Sequence, residues 1–114
     1  GATEVHVRSA SPMVTWPCFY GIDTGSQDQL IAAHMSLDEI RAHIEADSVG
    51  FLSVEGLLAC VPEDGYCTAC FTGDYPVEIP RSWWEERFLP GREPNNLERA
   101  SDASRTPLAQ VPVE

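Results

Sequence analysis

Two cysteines three positions apart, Cys67 and Cys70, stand between Gly65 and Gly73 in a chain of 114 residues. This spacing holds both thiols on one tight turn, from which they reach a single metal ion or cluster without backbone strain. The flanking glycines supply the freedom such a turn needs, so a hairpin is expected around the pair. Spacing alone leaves several uses open: zinc, an iron–sulfur cluster, a redox dithiol, or two packed thiols. Cys18, in Pro17-Cys18-Phe19-Tyr20, is a lone cysteine, a residue type found more often as a small buried hydrophobe than as a ligand. Cys60 ends the apolar run Leu57-Leu58-Ala59 and is expected to point into packing. His34 and His43 read as surface residues and His6 as the outer side of a strand. None of the three shows the paired-histidine spacing of a zinc site.

An even count of four cysteines permits two disulfides. The low cysteine density, the lack of a basic and apolar leader, and the Cys-x-x-Cys pair favour a metal or redox site instead. No apolar run approaches the roughly 20 residues that cross a bilayer, and a cytoplasmic location is expected. The net charge is −11, and all seven basic residues are arginines. Residues 1–80 hold two of these, Arg8 and Arg41, against twelve carboxylates. Such a surface repels nucleic acid and anionic membranes, which excludes both as expected partners.

Residues 3–10 alternate as a strand that Ser11-Pro12 ends. The loop 15–23 that follows is too rich in aromatics for an idle linker. Ser26 with Gln29 resembles a capping box opening a helix over 27–34, and Ser36 with Glu39 repeats the signal. The second helix places Leu37, Ile40 and Ile44 on one face and should stop around Ala46–Asp47. Residues 49–53 read as a short buried strand, with Ser53 able to cap a helical stretch through Cys60. Residues 81–89 read as one helix anchored by Trp84 and Phe88 at i, i+4 spacing. The composition of 90–114, polar with no apolar period, reads as a disordered tail. This divides the chain at residue 80. There is no phosphate-cradling glycine loop, no nucleophile elbow and no standout carboxylate pair, so no catalytic residue is expected.

The residues also resemble a known family. Gly1 to Arg8, Ala10-Ser11-Pro12, Pro17-Cys18-Phe19-Tyr20-Gly21-Ile22-Asp23, Ala46-Asp47-Ser48 and Phe51 to Leu57 carry the likeness. It closes with Tyr66-Cys67-Thr68-Ala69-Cys70-Phe71-Thr72-Gly73-Asp74-Tyr75-Pro76. Together these resemble amidophosphoribosyltransferases of the iron–sulfur type, over residues 1 to about 80. The resemblance implies an α/β fold, the C-terminal part of a type I phosphoribosyltransferase domain, in which only the terminal strand, short helices and a cysteine hairpin are present. It implies an enzyme making 5-phosphoribosylamine from phosphoribosylpyrophosphate and glutamine, the first step of purine biosynthesis. A [4Fe-4S] cluster would be held by Cys18, Cys67 and Cys70. The fourth cysteine, the magnesium-binding substrate loop and the glutaminase domain would lie upstream of Gly1.

The resemblance thus makes the chain a fragment, with the rest of a homo-oligomeric enzyme as its partner and no activity expected alone. A single strand satisfies neither its backbone nor its faces, so weak folding in isolation is also expected. A different class of reading remains: a small non-enzymatic module whose Cys18, Cys60, Cys67 and Cys70 close a structural zinc site.

Overall fold

The computed structural model describes residues 1–85 together with Arg87 and Phe88. Among the described residues beyond Pro62 and Gly65 few lie in regular elements, and the described elements are all short. Strand β1 (His6–Ser9) is followed by a 3₁₀ turn (Gln27–Gln29) and helices α1 (Ile31–His34) and α2 (Leu37–His43). Strand β2 (Ser48–Phe51) then leads into helices α3 (Val54–Ala59), α4 (Ala69–Thr72) and α5 (Arg81–Trp84). No described helix is long and apolar enough to cross a membrane.

β1 is not a solitary strand. It pairs in parallel with β2, with His6 opposite Ser48 and Ser9 opposite Phe51. The ladder is extended at both ends, by Asp47 N–H donating to Val5 O at 2.9 Å and Leu52 N–H to Ser9 O at 3.2 Å. The Asp47 carboxylate also accepts from Val5 N–H at 2.6 Å. On one face His6 Nδ1 meets Ser48 Oγ at 2.8 Å, and the Arg8 stem lies against Gly50, 3.1 Å from where a Cβ would stand. On the other, Val5 and Val7 stay exposed. β2 is half-buried along its length rather than fully covered.

Between the strands, α2 starts where its cap signal places it. Ser36 Oγ accepts from Glu39 N–H at 3.4 Å, while the Glu39 carboxylate takes Ser36 N–H at 2.7 Å. The helix ends sooner than expected, capped at Ile44 with Glu45 in the left-handed region (φ 54°). Only Ile40 of its apolar face is buried, while Leu37 and Ile44 are exposed. Ser53 caps α3 as its position suggests, accepting from Gly56 N–H at 2.9 Å.

The Ser26 signal does not produce the long helix. Ser26 makes no side-chain cap bond, and Leu30 is extended (φ −89°, ψ 107°), separating the 3₁₀ turn from α1. Ser26 Oγ donates instead to the Asp28 carboxylate. Gln27, only 2% exposed, is taken up by tertiary bonds. Its side chain donates to Thr15 O at 3.1 Å, and its N–H to Arg87 O at 2.8 Å. Long-range bonding here outweighs local propensity. Likewise α5 stops at Trp84, so Phe88 lies in a bend beyond the helix rather than on its face. The expected tail over 90–114 lies outside the described residues.

One hydrophobic cluster consists of Ala69, Tyr75 and Ile79, with Trp16, Phe19 and Phe88 packed against it. It therefore gathers the aromatic loop, the cysteine turn and the segment after it. Ala33 in α1, Ile40 in α2 and Ala46 just ahead of β2 are also buried.

Candidate functional site: a cysteine turn bound to an aromatic loop

The Cys67–Cys70 turn is not a hairpin. Cys67 lies in an exposed segment, and Cys70 sits inside the single turn of α4. Gly73 closes that turn with φ 77°, its N–H donating to Ala69 O at 2.8 Å. This left-handed cap costs a glycine little and other residues more. A Cβ at Gly73 would also stand 2.6 Å from Trp16 Cε2, so two independent constraints select glycine there.

The Cys18 loop is bonded to the same turn. Thr15 and Trp16 N–H both donate to Cys70 O, at 3.0 and 3.1 Å. Two donors on one carbonyl fix the loop against the very residue that carries the second thiol. Downstream, Cys18 N–H is held by Thr24 Oγ1 at 2.6 Å. Tyr20 N–H points at Cys18 Sγ at 3.4 Å, and hydrogen bonds to sulfur are among a protein's levers on a cluster.

Two tyrosines tie the loop to the segment after the turn. Tyr75 is buried, and its O–H donates to Pro17 O at 2.6 Å. Tyr20 O–H donates to Val77 O at 2.6 Å, and Val77 N–H returns a bond to Tyr20 Oη at 3.2 Å. Phe19 and Tyr75 meet edge to face with centroids 5.5 Å apart, and Phe88 lies 5.9 Å from Trp16. The Arg87 guanidinium covers Phe19 at 5.5 Å. An open cleft of about 560 Å³ lies beside Cys18, with Phe19, Ile22, Asp23, Ser82, Trp83 and Arg87 among its walls.

Burial dominates the electrostatics around the cysteine turn, with smaller contributions from the neighbouring thiols. Burial pushes the Cys70 thiol above its ordinary value, and negative charge on Cys18 and Cys67 adds to the effect. Burial also raises the Tyr75 phenol well above its ordinary value, reinforced by charge on Tyr20, Cys18, Cys70 and Cys67. For Tyr20, burial again leads, opposed by its Val77 bond and helped by Cys67 and Cys18. Cys60 contributes to none of these shifts. Its thiol is exposed at the end of α3, where it donates to Gly56 O at 3.2 Å. That corrects its expected burial: no residue of α3 is buried, and of the apolar run Leu57 is half-buried while Leu58 and Ala59 are exposed.

All four cysteines are free thiols. The donor chemistry of Cys18, Cys67 and Cys70 fits a thiophilic centre such as an iron–sulfur cluster. Their side chains stand apart, however: among the described residues no group of three or more His, Cys, Asp or Glu is arranged to hold a metal ion. His6, His34 and His43 are exposed and distributed over β1, α1 and α2. What the sequence left unassigned are the residues that join the two cysteine segments: Thr15, Trp16, Gln27 and Tyr75. The density of aromatics in 15–23 was the available signal for them.

No family profile matches the chain. Curated relatives do. The chain is 60% identical over 82 residues to an amidophosphoribosyltransferase of Synechocystis, covering 70% of this chain and 17% of that protein. It is 54% identical over 96 residues to the Bacillus subtilis enzyme of that name, covering 79% and 19%. Its identity to the Mycobacterium leprae enzyme is 47%, covering 100% of this chain and 22% of that protein. Among solved structures, glutamine phosphoribosylpyrophosphate amidotransferase from B. subtilis, complexed with ADP and GMP, matches with a TM-score of 0.62 and 53% identity. That match covers 71% of this chain and 19% of the solved one. A second structure, described as the allosteric regulatory enzyme of purine biosynthesis, matches with the same TM-score and 54% identity. The chain thus spans about a fifth of the length of the relatives it matches. A small α/β unit with a parallel strand pair, at this level of identity to such relatives, belongs to the amidophosphoribosyltransferase family.

Proposed function

We propose that this chain is the cysteine-bearing C-terminal part of a glutamine-dependent amidophosphoribosyltransferase. The whole enzyme makes 5-phosphoribosylamine from phosphoribosylpyrophosphate and glutamine, committing substrate to purine biosynthesis. Residues 1–80 close a type I phosphoribosyltransferase domain, and the magnesium ligands and glutaminase chemistry belong to the remainder of the enzyme. That remainder is this chain's partner, in a homo-oligomer. The role of the chain is to hold a [4Fe-4S] cluster through Cys18, Cys67 and Cys70, with the fourth thiolate from outside it.

The observation that carries the reading is the paired donation of Thr15 and Trp16 N–H to Cys70 O. It ties the Cys18 loop to the Cys-x-x-Cys turn, although their thiols are about fifty residues apart in sequence. A cluster bound there supplies a covalent cross-link between the segments. This chain's own residues do the rest. Tyr20 N–H supports the Cys18 sulfur, and the rings of Phe19, Tyr75 and Phe88 pack against one another beside the Cys18 loop. The zinc-module alternative requires Cys60 as a ligand, and its thiol donates instead to Gly56 O within its own helix, α3.

Anaerobic purification of the full-length enzyme tests the reading. A brown protein with broad visible absorbance and matching iron and sulfide supports it. A colourless protein with stoichiometric zinc contradicts it. Residues 1–114 alone should make no phosphoribosylamine, from ammonia or glutamine, above the uncatalysed rate. Turnover by that chain would contradict the division of labour proposed here.

A further inference from the structure

Pro17 immediately precedes Cys18 and is fully buried. Proline carries no N–H, so its carbonyl is the only polar backbone group the residue has. A buried carbonyl needs a partner, and losing one exposes the full desolvation penalty. The partner is the Tyr75 hydroxyl, 2.6 Å away, from a residue five positions beyond Cys70. Tyr75 itself is 6% exposed, with rings of Phe19, Tyr20 and Phe88 around it at centroid distances of 5.5 to 6.2 Å. This packing fixes the ring, and with it the phenol that donates to Pro17 O. The backbone at Cys18 is consequently held from both sides: Tyr75 grips the carbonyl before it, and Thr24 Oγ1 accepts its N–H.

The other ties between the two segments act elsewhere. Thr15 and Trp16 bond Cys70 O three and two residues ahead of Cys18. Tyr20 reaches Val77 from the far side of it. Between those anchors a short loop still has freedom to turn the Cys18 side chain away from Cys67 and Cys70. The Tyr75 bond acts on the peptide directly adjoining Cys18.

We propose that Tyr75 is a positioning residue for the Cys18 thiol, its hydroxyl holding the Pro17–Cys18 peptide so that this sulfur faces the same centre as Cys67 and Cys70. The proposal rests on the cluster-holding reading and adds to it a residue that touches no metal. The substitution Tyr75→Phe keeps the ring and its packing and removes only the oxygen. In this variant the Cys18 arm of the site becomes loose while the Cys67–Cys70 turn, capped by Gly73, is undisturbed.

The test uses the full-length enzyme and two readouts. In the holoprotein under anaerobic conditions, iron release to an excess of a ferrous chelator is timed. In the metal-free protein, alkylation by iodoacetamide is followed at each cysteine by peptide mass spectrometry. Tyr75→Phe should release iron about tenfold faster, and its Cys18 should alkylate about fivefold faster, with Cys70, the other half-buried thiol, within twofold of wild type. A merely structural loss would raise Cys18 and Cys70 in parallel. That result, or unchanged Cys18 labelling and iron release, overturns the proposal. Cys18→Ser separates the two levels of inference. If it loses iron while Tyr75→Phe behaves as wild type, Tyr75 is no positioning residue although the ligand reading stands. If Cys18→Ser keeps its full iron, the ligand reading fails, and the proposal falls with it.

Discussion

The indole of Trp16 occupies the space that a side chain on Gly73 would require: a Cβ there would stand 2.6 Å from Cε2 and 2.9 Å from Cζ2. The residue that closes the Cys70 turn and the residue that opens the Cys18 loop are thus fitted to each other.

Gly73→Ala should combine a left-handed backbone penalty of about 1 kcal/mol with an overpacking cost of about 1–3 kcal/mol. Gly65, also left-handed at φ 96°, has nothing within 4 Å of its Cβ position. Gly65→Ala should therefore show the backbone penalty alone, about 1 kcal/mol. Urea unfolding of the full-length variants, compared pairwise, checks the difference. Equal losses would mean that the Trp16 contact carries no weight.

The cap of α2 predicts a pH effect with a definite sign. The Ser36 backbone N–H, then the Ser36 hydroxyl, hold the Glu39 carboxyl below its ordinary value. A carboxyl lowered by folding stabilises the folded state above its unfolded pKa, and that support is lost as pH falls through the folded value. Amide exchange in α2 should accordingly speed up below the usual carboxylate range relative to the exchange expected from pH alone. Glu39→Gln should abolish that extra acid sensitivity. Ser36→Ala should weaken the helix at neutral pH by about 1 kcal/mol, read from the same exchange protection.

Cys60 should behave as a surface residue. Because its thiol is exposed and no residue of α3 is buried, Cys60→Ser should change stability by less than about 0.5 kcal/mol in this chain. A loss of several times that size in chemical denaturation would indicate that α3 is covered in the whole enzyme.

How far the sequence reached differs by element. The caps at Ser36 and Ser53 were legible because a short polar side chain and the residue three positions on settle them locally. Ser26 carried a similar signal and failed, because Gln27 is drawn into long-range bonds with Thr15 and Arg87 that no local pattern encodes. The pairing of β1 with β2 was missed for a related reason: a parallel ladder joins distant residues through backbone atoms, which leave no side-chain signature. The apolar run ending in Cys60 implied burial, but periodicity says only which face is apolar, not whether anything covers it. In the candidate site, the glycines around the Cys-x-x-Cys pair were readable from spacing, and Gly65 and Gly73 both take positive φ. Tyr75 was not, since its role depends on a carbonyl 58 residues away.

The central claim is that Cys18, Cys67 and Cys70 form one ligand set and Cys60 stands outside it. Iron and acid-labile sulfide in the four single Cys→Ser variants of the full-length enzyme, purified anaerobically, test it most directly. Serine offers a hard, poorly ionised hydroxyl in place of a soft thiolate. Cys18→Ser, Cys67→Ser and Cys70→Ser should each lose most of their iron and sulfide together, while Cys60→Ser keeps both at the wild-type level. Loss of the cluster from Cys60→Ser with retention in Cys18→Ser would contradict the account.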